Sequence, residues 1–295
     1  MKITLNVFSG RENPSWELSE KDAKSFLERF AKKTVLSASE HQAQLGYSGF
    51  TAETFTDERL PDGIPSSFFI GGKLAPGISE HGHINPLLSE TESVNAEEWL
   101  LSKAGKIVPD EILNYISGEL KAKLKGIDYE TTEKITEDLE FKKLVHASPC
   151  IIANTPYNPG FWNTPATQPH NNCYNYSMNY RSNTFAQPGR KTGHMYTSLD
   201  CNNVGNAASS DGCKPICTGS SKLVALVIWP GNDYHWYRRH SQGFWGHKPG
   251  GTAARNIDNI GRLINGTTLT PANCNRGPYT VFCGYRYSPT GMQVS

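Results

Sequence analysis

Two histidines, His235 and His247, stand twelve positions apart in the stretch Tyr234–Gly251 (YHWYRRHSQGFWGHKPGG), and Cys173 lies upstream of both. Imidazole titrates near pH ~6.5, so a histidine pair can move protons near neutrality. A thiol becomes nucleophilic as the thiolate, and a neighbouring imidazolium favours that form. Cys173 as nucleophile, His235 as its base and His247 as the group orienting the base would make an acyl-transfer centre. Without the thiol, the two histidines could act as acid and base of a metal-independent ribonuclease. A metal site and plain packing are the remaining uses for two adjacent imidazoles.

The elements that must position these groups are legible around them. Aromatic and polar residues alternate on both sides of His240-Ser241-Gln242-Gly243, the period of two of a half-buried hairpin. A turn centred on Ser241 sets His235 directly opposite His247, on one face, with Cβ atoms about 5 Å apart. Leu223–Trp229 is a continuous apolar strand ended by Pro230-Gly231-Asn232-Asp233, and Tyr279–Tyr287 supplies a last strand. Asn171 or Asn172 caps a helix beginning near Cys173, which places the thiol at the positive end of the helix dipole. Asn203–Ser209 reads as a second short helix. In the Pro-, Asn- and Gly-rich stretch before Cys173, Tyr157, Phe161 and Trp162 pack on the sheet or line a groove. Nucleophile and base thus fall on different elements of an α+β fold with an antiparallel sheet.

This order resembles that of papain-like cysteine peptidases and amidases, and in particular the compact NlpC-type branch of bacterial cell-wall enzymes. In that family the nucleophile heads a helix, the base is a histidine on a following strand, and a third polar residue, often another histidine, lies on the next strand. Cys173, His235 and His247 match those places, over a region from Tyr157 to Tyr287. The resemblance implies hydrolysis of an amide or isopeptide bond, with cell-wall peptide as the first substrate class and a host or rival protein as the second. It also implies an oxyanion site formed by the Cys173 amide with Gln168 or Tyr157, and a groove lined by Asn172, Trp162, Tyr174 and Trp236. No cofactor is implied.

Charge divides the chain of 295 residues. Residues 1–145 hold twenty-four acidic and seventeen basic side chains, a net of −7, whereas residues 146–295 hold four Asp, no Glu and twelve Lys or Arg, a net of +8. All seven cysteines lie in that second half. Two modules are expected, 1–145 and 146–295. The first reads as mixed α and β: a strand over Lys2–Phe8, a helix opened by Ser19 and running to about Lys33, a strand at Ser67–Ile70, and helices at Ala96–Lys103 and Pro109–Leu124. It shows no obvious chemistry, and its expected role is binding, targeting or regulation, toward an unidentified partner or the catalytic module. His81-Gly82-His83 reads as a surface loop, and Thr131–Leu144 as a solvated charged helix.

No apolar run is long enough to span a membrane, and MKITLNVFSG lacks the core and cleavage site of a secretory signal. A soluble protein is expected, either cytoplasmic or exported without such a signal. Setting Cys173 aside leaves Cys150, Cys201, Cys213, Cys217, Cys274 and Cys283, enough for three disulfides in an oxidising compartment or for a set of reduced buried thiols. Cys201, Cys213 and Cys217 with a histidine could hold zinc, but their spacing lacks the paired Cys-x-x-Cys pattern. The basic, aromatic run Tyr234–Arg239 suggests a nucleic-acid surface; the scatter of the other cations argues against it. The functional readings are therefore a cysteine peptidase or amidase, including a delivered effector or toxin; a histidine ribonuclease; and a non-catalytic binder of glycan or peptide.

Overall fold

The computed structural model describes residues 1–31, 35–36, 41–42, 44–54, 66–71, 73–74, 90–124 and 150–295. They divide between two units, the first made of Met1–Val7, Asn13–Ala43 and Tyr47–Glu130 and the second of Phe8–Glu12, Gln44–Gly46 and Thr131–Ser295. The stretches His81–His83 and Thr131–Leu144 lie outside the described residues.

In the first unit, β1 (Lys2–Leu5), β2 (Ser15–Glu17), β3 (Val35–Leu36), β5 (Phe50–Glu53) and β6 (Ser67–Ile70) form an antiparallel sheet in the order β2-β1-β5-β6-β3. A separate two-stranded ladder joins β4 (His41–Gln42) to β7 (Lys73–Leu74). Alternation decides which face is buried: Ile3, Leu5, Phe50, Ala52, Phe68 and Ile70 point inward while their neighbours point out. Ser19 caps α1 (Glu20–Phe26) by accepting a hydrogen bond from the Asp22 amide. The helix passes into a π turn, Leu27–Ala31. α2 (Glu90–Lys103) and α3 (Asp110–Leu124) follow. Glu97 of α2 is wholly buried, and it is held by the Tyr47 hydroxyl at 2.5 Å, Ser93 at 2.8 Å and the Lys123 ammonium at 2.8 Å. Such a charge is tolerated in a core only because its lone pairs are filled.

The second unit is built on β9 (Gly219–Trp229), the long apolar strand, with β10 (Asp233–Arg239), β11 (Trp245–His247) and β12 (Val281–Pro289) in the order β11-β10-β9-β12. The sheet is not purely antiparallel, because β8 (Cys150–Ile152) pairs parallel to the start of β9. Among the described residues three helices accompany it: α4 (Pro159–Trp162), α5 (Cys173–Met178) and α6 (Cys201–Asp211). Val224, Leu226, Ile228, Tyr234 and Trp236 form one face of the sheet and pack with Tyr174 and Met178 of α5 and Val204 and Ala208 of α6. The class is α+β.

Two disulfides, Cys150–Cys217 and Cys201–Cys283, tie β8 to the approach to β9 and α6 to β12. They close stretches of 67 and 82 residues, for which chain entropy gives about 4 kcal/mol each. Cys213 and Cys274, like Cys173, are buried free thiols. The set of three disulfides therefore becomes two. The zinc set is dissolved as well, since Cys201 and Cys217 are consumed, and the described residues contain no group of three or more metal-capable side chains.

Candidate functional site

The β10–β11 ladder pairs Tyr237 with His247 and Arg239 with Trp245. The turn is therefore centred one residue later than Ser241, and His235 is the diagonal neighbour of His247 instead of its direct opposite. A shift of two positions preserves the face, so the rings still meet, with His235 Nε2 2.9 Å from His247 Nδ1. The carbonyl of Ile257, 2.9 Å from His247 Nε2, can only accept, so that nitrogen carries the proton. Neutral His247 then accepts at Nδ1 from His235 Nε2–H, and His235 Nδ1 is left to accept from the Ser9 hydroxyl at 2.5 Å. A single proton order thus runs from Ser9 through both imidazoles to the Ile257 carbonyl. Burial disfavours any added charge: it holds His247 down to about 3, and with its neighbour's field holds His235 well below the ordinary imidazole range.

Cys173 heads α5 as its spacing suggests. Asn172 is the N-cap, accepting from the Tyr174 and Asn175 amides, while the Asn175 side chain accepts from the Asn172 amide in return. The expected thiolate does not follow. Cys173 is 0% exposed, inside the core cluster with Tyr234 and Trp236, and burial pushes its thiol up to about 12. The dipole of a six-residue helix does not offset that desolvation. The sulfur lies against the strand edge that β11 leaves uncovered, 4.0 Å from the Tyr234 carbonyl. Successive strand residues face opposite ways, so His235 turns to the other face, beside Tyr237, His247 and Tyr279. No hydrogen bond links Cys173 to His235 among the described residues; Ser9 bonds the imidazole and lies close enough to the thiol to oppose the rise of its pKa.

The remaining candidates are structural in their contacts. Tyr157 packs edge-on against His240 and Phe244, with ring centroids at 5.2 Å in both cases. Gln168 offers its main-chain carbonyl, at 2.6 Å, to the Lys248 ammonium. Trp162 is buried against Tyr176 and Ala254. The Tyr174 hydroxyl donates to Asp211 at 2.8 Å, and its ring packs on Trp236 at 5.5 Å. Asn172 uses its amide nitrogen on the carbonyls of Gly10 and Ala186, at 2.8 and 2.7 Å. The oxyanion and groove roles expected of these residues are not assembled: four of the six, Trp162, Asn172, Tyr174 and Trp236, are fully buried.

Three residues with no part in the site as read from sequence hold it together. Asp233, fully buried, accepts from the amides of Ser9 at 2.5 Å, Gly10 at 3.0 Å and Arg11 at 3.1 Å, and from the Tyr279 hydroxyl at 2.6 Å. Burial raises its pKa while these donors oppose the rise. Ser9 and Gly10 are the second and third contributors: the Gly10 carbonyl accepts from Asn172 and from Gln187, each at 2.8 Å. The absence of a side chain at Gly10 matters, since a Cβ there would meet the Tyr234 ring at 2.5 Å. Lys248 lies nearby, donating to the carbonyls of Gln168, Asn171 and Gly250, and burial pulls its pKa down to about 7.

Insoluble matrix shell protein 1 of Ruditapes philippinarum is 42% identical to this chain over 137 residues, which cover 45% of the chain and 90% of that protein. The chain belongs to the family of insoluble matrix shell protein 1. No family model matches, and no solved structure matches. Membership corrects the functional expectation: the relative is by name a component of an insoluble shell matrix and not a cysteine hydrolase. The peptidase, amidase, effector and toxin readings fall with it, in keeping with a thiol that is buried, protonated and unpaired with histidine.

Proposed function

We propose that the chain is a non-catalytic, extracellular component of an insoluble matrix, acting by binding and assembly through its second unit. The observation that carries this reading is the 42% identity extending over 90% of the matrix shell protein. The site is consistent with it, because Cys173, His235 and His247 are all buried and the two histidines are hydrogen-bonded to each other, as structural groups are. Two disulfides favour an oxidising, extracellular setting, and no helix among the described residues is long and apolar enough to cross a membrane. A cysteine-headed helix ahead of an antiparallel sheet bearing histidines supports a papain-like, NlpC-type scaffold serving here without its chemistry. The first unit, which lies within the acidic portion 1–145, is assigned to partner binding.

Partition tests the reading. Purified, dilute full-length protein mixed with insoluble polysaccharide or decellularised matrix should sediment with it and resist washing. Protein that stays quantitatively in the supernatant over every such matrix would refute the proposal.

A further inference from the structure

Buried Asp233 is bonded by a distant segment of its own chain. Segment Phe8–Glu12 is gripped mainly through its backbone: three consecutive amides on the Asp233 carboxylate, and the Gly10 carbonyl on Asn172 and Gln187. Successive amides converging on one anion form a main-chain recognition unit that depends little on side chains. The side-chain contributions are few. Ser9 bonds His235 and accepts from the Gly250 amide at 3.3 Å; Arg11 reaches the Asn232 carbonyl at 2.5 Å; and Phe8 packs on Trp229 at 6.1 Å. Gly10 is required by the Tyr234 ring. The segment is 224 positions from Asp233 in sequence, so this is no local turn but a ligand and an acceptor joined by a long chain.

The acceptor is incomplete alone. Without the segment, Asp233 loses three amide donors and keeps the Tyr279 hydroxyl, and a carboxylate stripped of partners among buried aromatic rings is unfavourable. The acceptor therefore demands such a segment, and one from a second copy is chemically identical to its own. Only linkage and concentration decide between them, and exchange of an identical element is a low-cost route to association. We propose that the cradle of Asp233, Asn172, Gln187 and Tyr234 is a peptide-acceptor site, and that a second copy of this chain can donate Phe8–Glu12 to it, linking copies into the assembly. This rests on the matrix reading and names the contact through which chains would join.

Ser9 lies close enough to Cys173 to act on its thiol, which supplies a trap. Full-length Ser9→Cys, prepared as an equal mixture of 14N- and 15N-labelled chains, is held at rising concentration and oxidised with diamide, and the 9–173 linkage is mapped by mass. The expected result is a mixed-isotope 9–173 peptide whose share rises with protein concentration and is lost when Gly10→Val is added. A 9–173 linkage of single-isotope composition at every concentration would overturn the proposal. Should Ser9→Cys not fold or not link, sedimentation equilibrium of the wild-type chain decides. Oligomers that an excess of the peptide spanning residues 6–13 returns to monomer support exchange; monomer at all concentrations, or oligomers that the peptide leaves intact, refute it. Both measurements omit any matrix, so a failed exchange leaves the partition result standing, and a failed partition leaves exchange standing.

Discussion

Acid should unfold the second unit through its buried histidines before its carboxylates matter. His235, His240 and His247 are neutral in the fold, with His240 held down to about 4 and His247 to about 3 by burial, and His235 well below its ordinary value. In the unfolded chain each titrates near pH ~6.5. A basic group whose folded pKa is depressed stabilises fully above its unfolded value and loses that contribution as pH falls toward the folded value. At pH ~5 each histidine has therefore given up about 2 kcal/mol, provided its folded pKa lies below that point. Three together approach about 6 kcal/mol, comparable to the whole stability of many domains, ~5–15 kcal/mol. Urea unfolding followed by intrinsic tryptophan fluorescence at intervals between pH ~7.5 and ~5 should show stability falling by up to about 4 kcal/mol per pH unit. His247→Gln should lower stability throughout but flatten the slope by about 1.4 kcal/mol per pH unit, one proton fewer. A wild-type stability flat across that window, or resonances assigned to His235 or His247 that titrate near pH ~6.5 in the native protein, would refute the buried neutral pair.

Three further outcomes follow from the same contacts. Gly10→Ala drives a Cβ into the Tyr234 ring and should cost about 1–3 kcal/mol, seen as a lowered Tm; an unchanged Tm would show that the segment is not seated there. Cys173, with its thiol raised to about 12, should resist iodoacetamide at pH ~8 in the native protein and react on unfolding, and ready alkylation in the folded state would contradict its burial. Replacing Cys201 and Cys283 together by Ala should cost about 4 kcal/mol by loop entropy, measured by urea midpoint, whereas a midpoint matching the wild type would remove the α6–β12 tie.

Local signals survived translation into structure, and long-range ones did not. Ser19, the Asn172 cap, the Ser67–Ile70 strand and the apolar run of β9 depend on a few neighbouring residues, and each stands where its pattern places it. β1 ends at Leu5 rather than Phe8 because the chain from Phe8 to Glu12 belongs to the second unit. The histidine pair was legible as a shared face, since face depends only on parity, while its register depended on a turn that hydrophobic alternation does not fix. Asp233 read as the end of a Pro-Gly-Asn-Asp turn, and nothing near it announces that Ser9 and Gly10 arrive from the far end of the chain. Cys173 shows the same gap: its cap was local, but its burial is set by Tyr234, Trp236 and the α6 helix, which no spacing within α5 records.

The central claim, that these chemically capable residues build a matrix protein and perform no catalysis, is tested most directly by pairing two readouts on wild type and Cys173→Ala. Each full-length protein is incubated with insoluble matrix and with cross-linked cell-wall peptide, and the bound fraction and newly released amines are measured together. Equal retention on the matrix with no amine release from either protein is the expected result. Amine release by the wild type that disappears in the folded Cys173→Ala variant would contradict it.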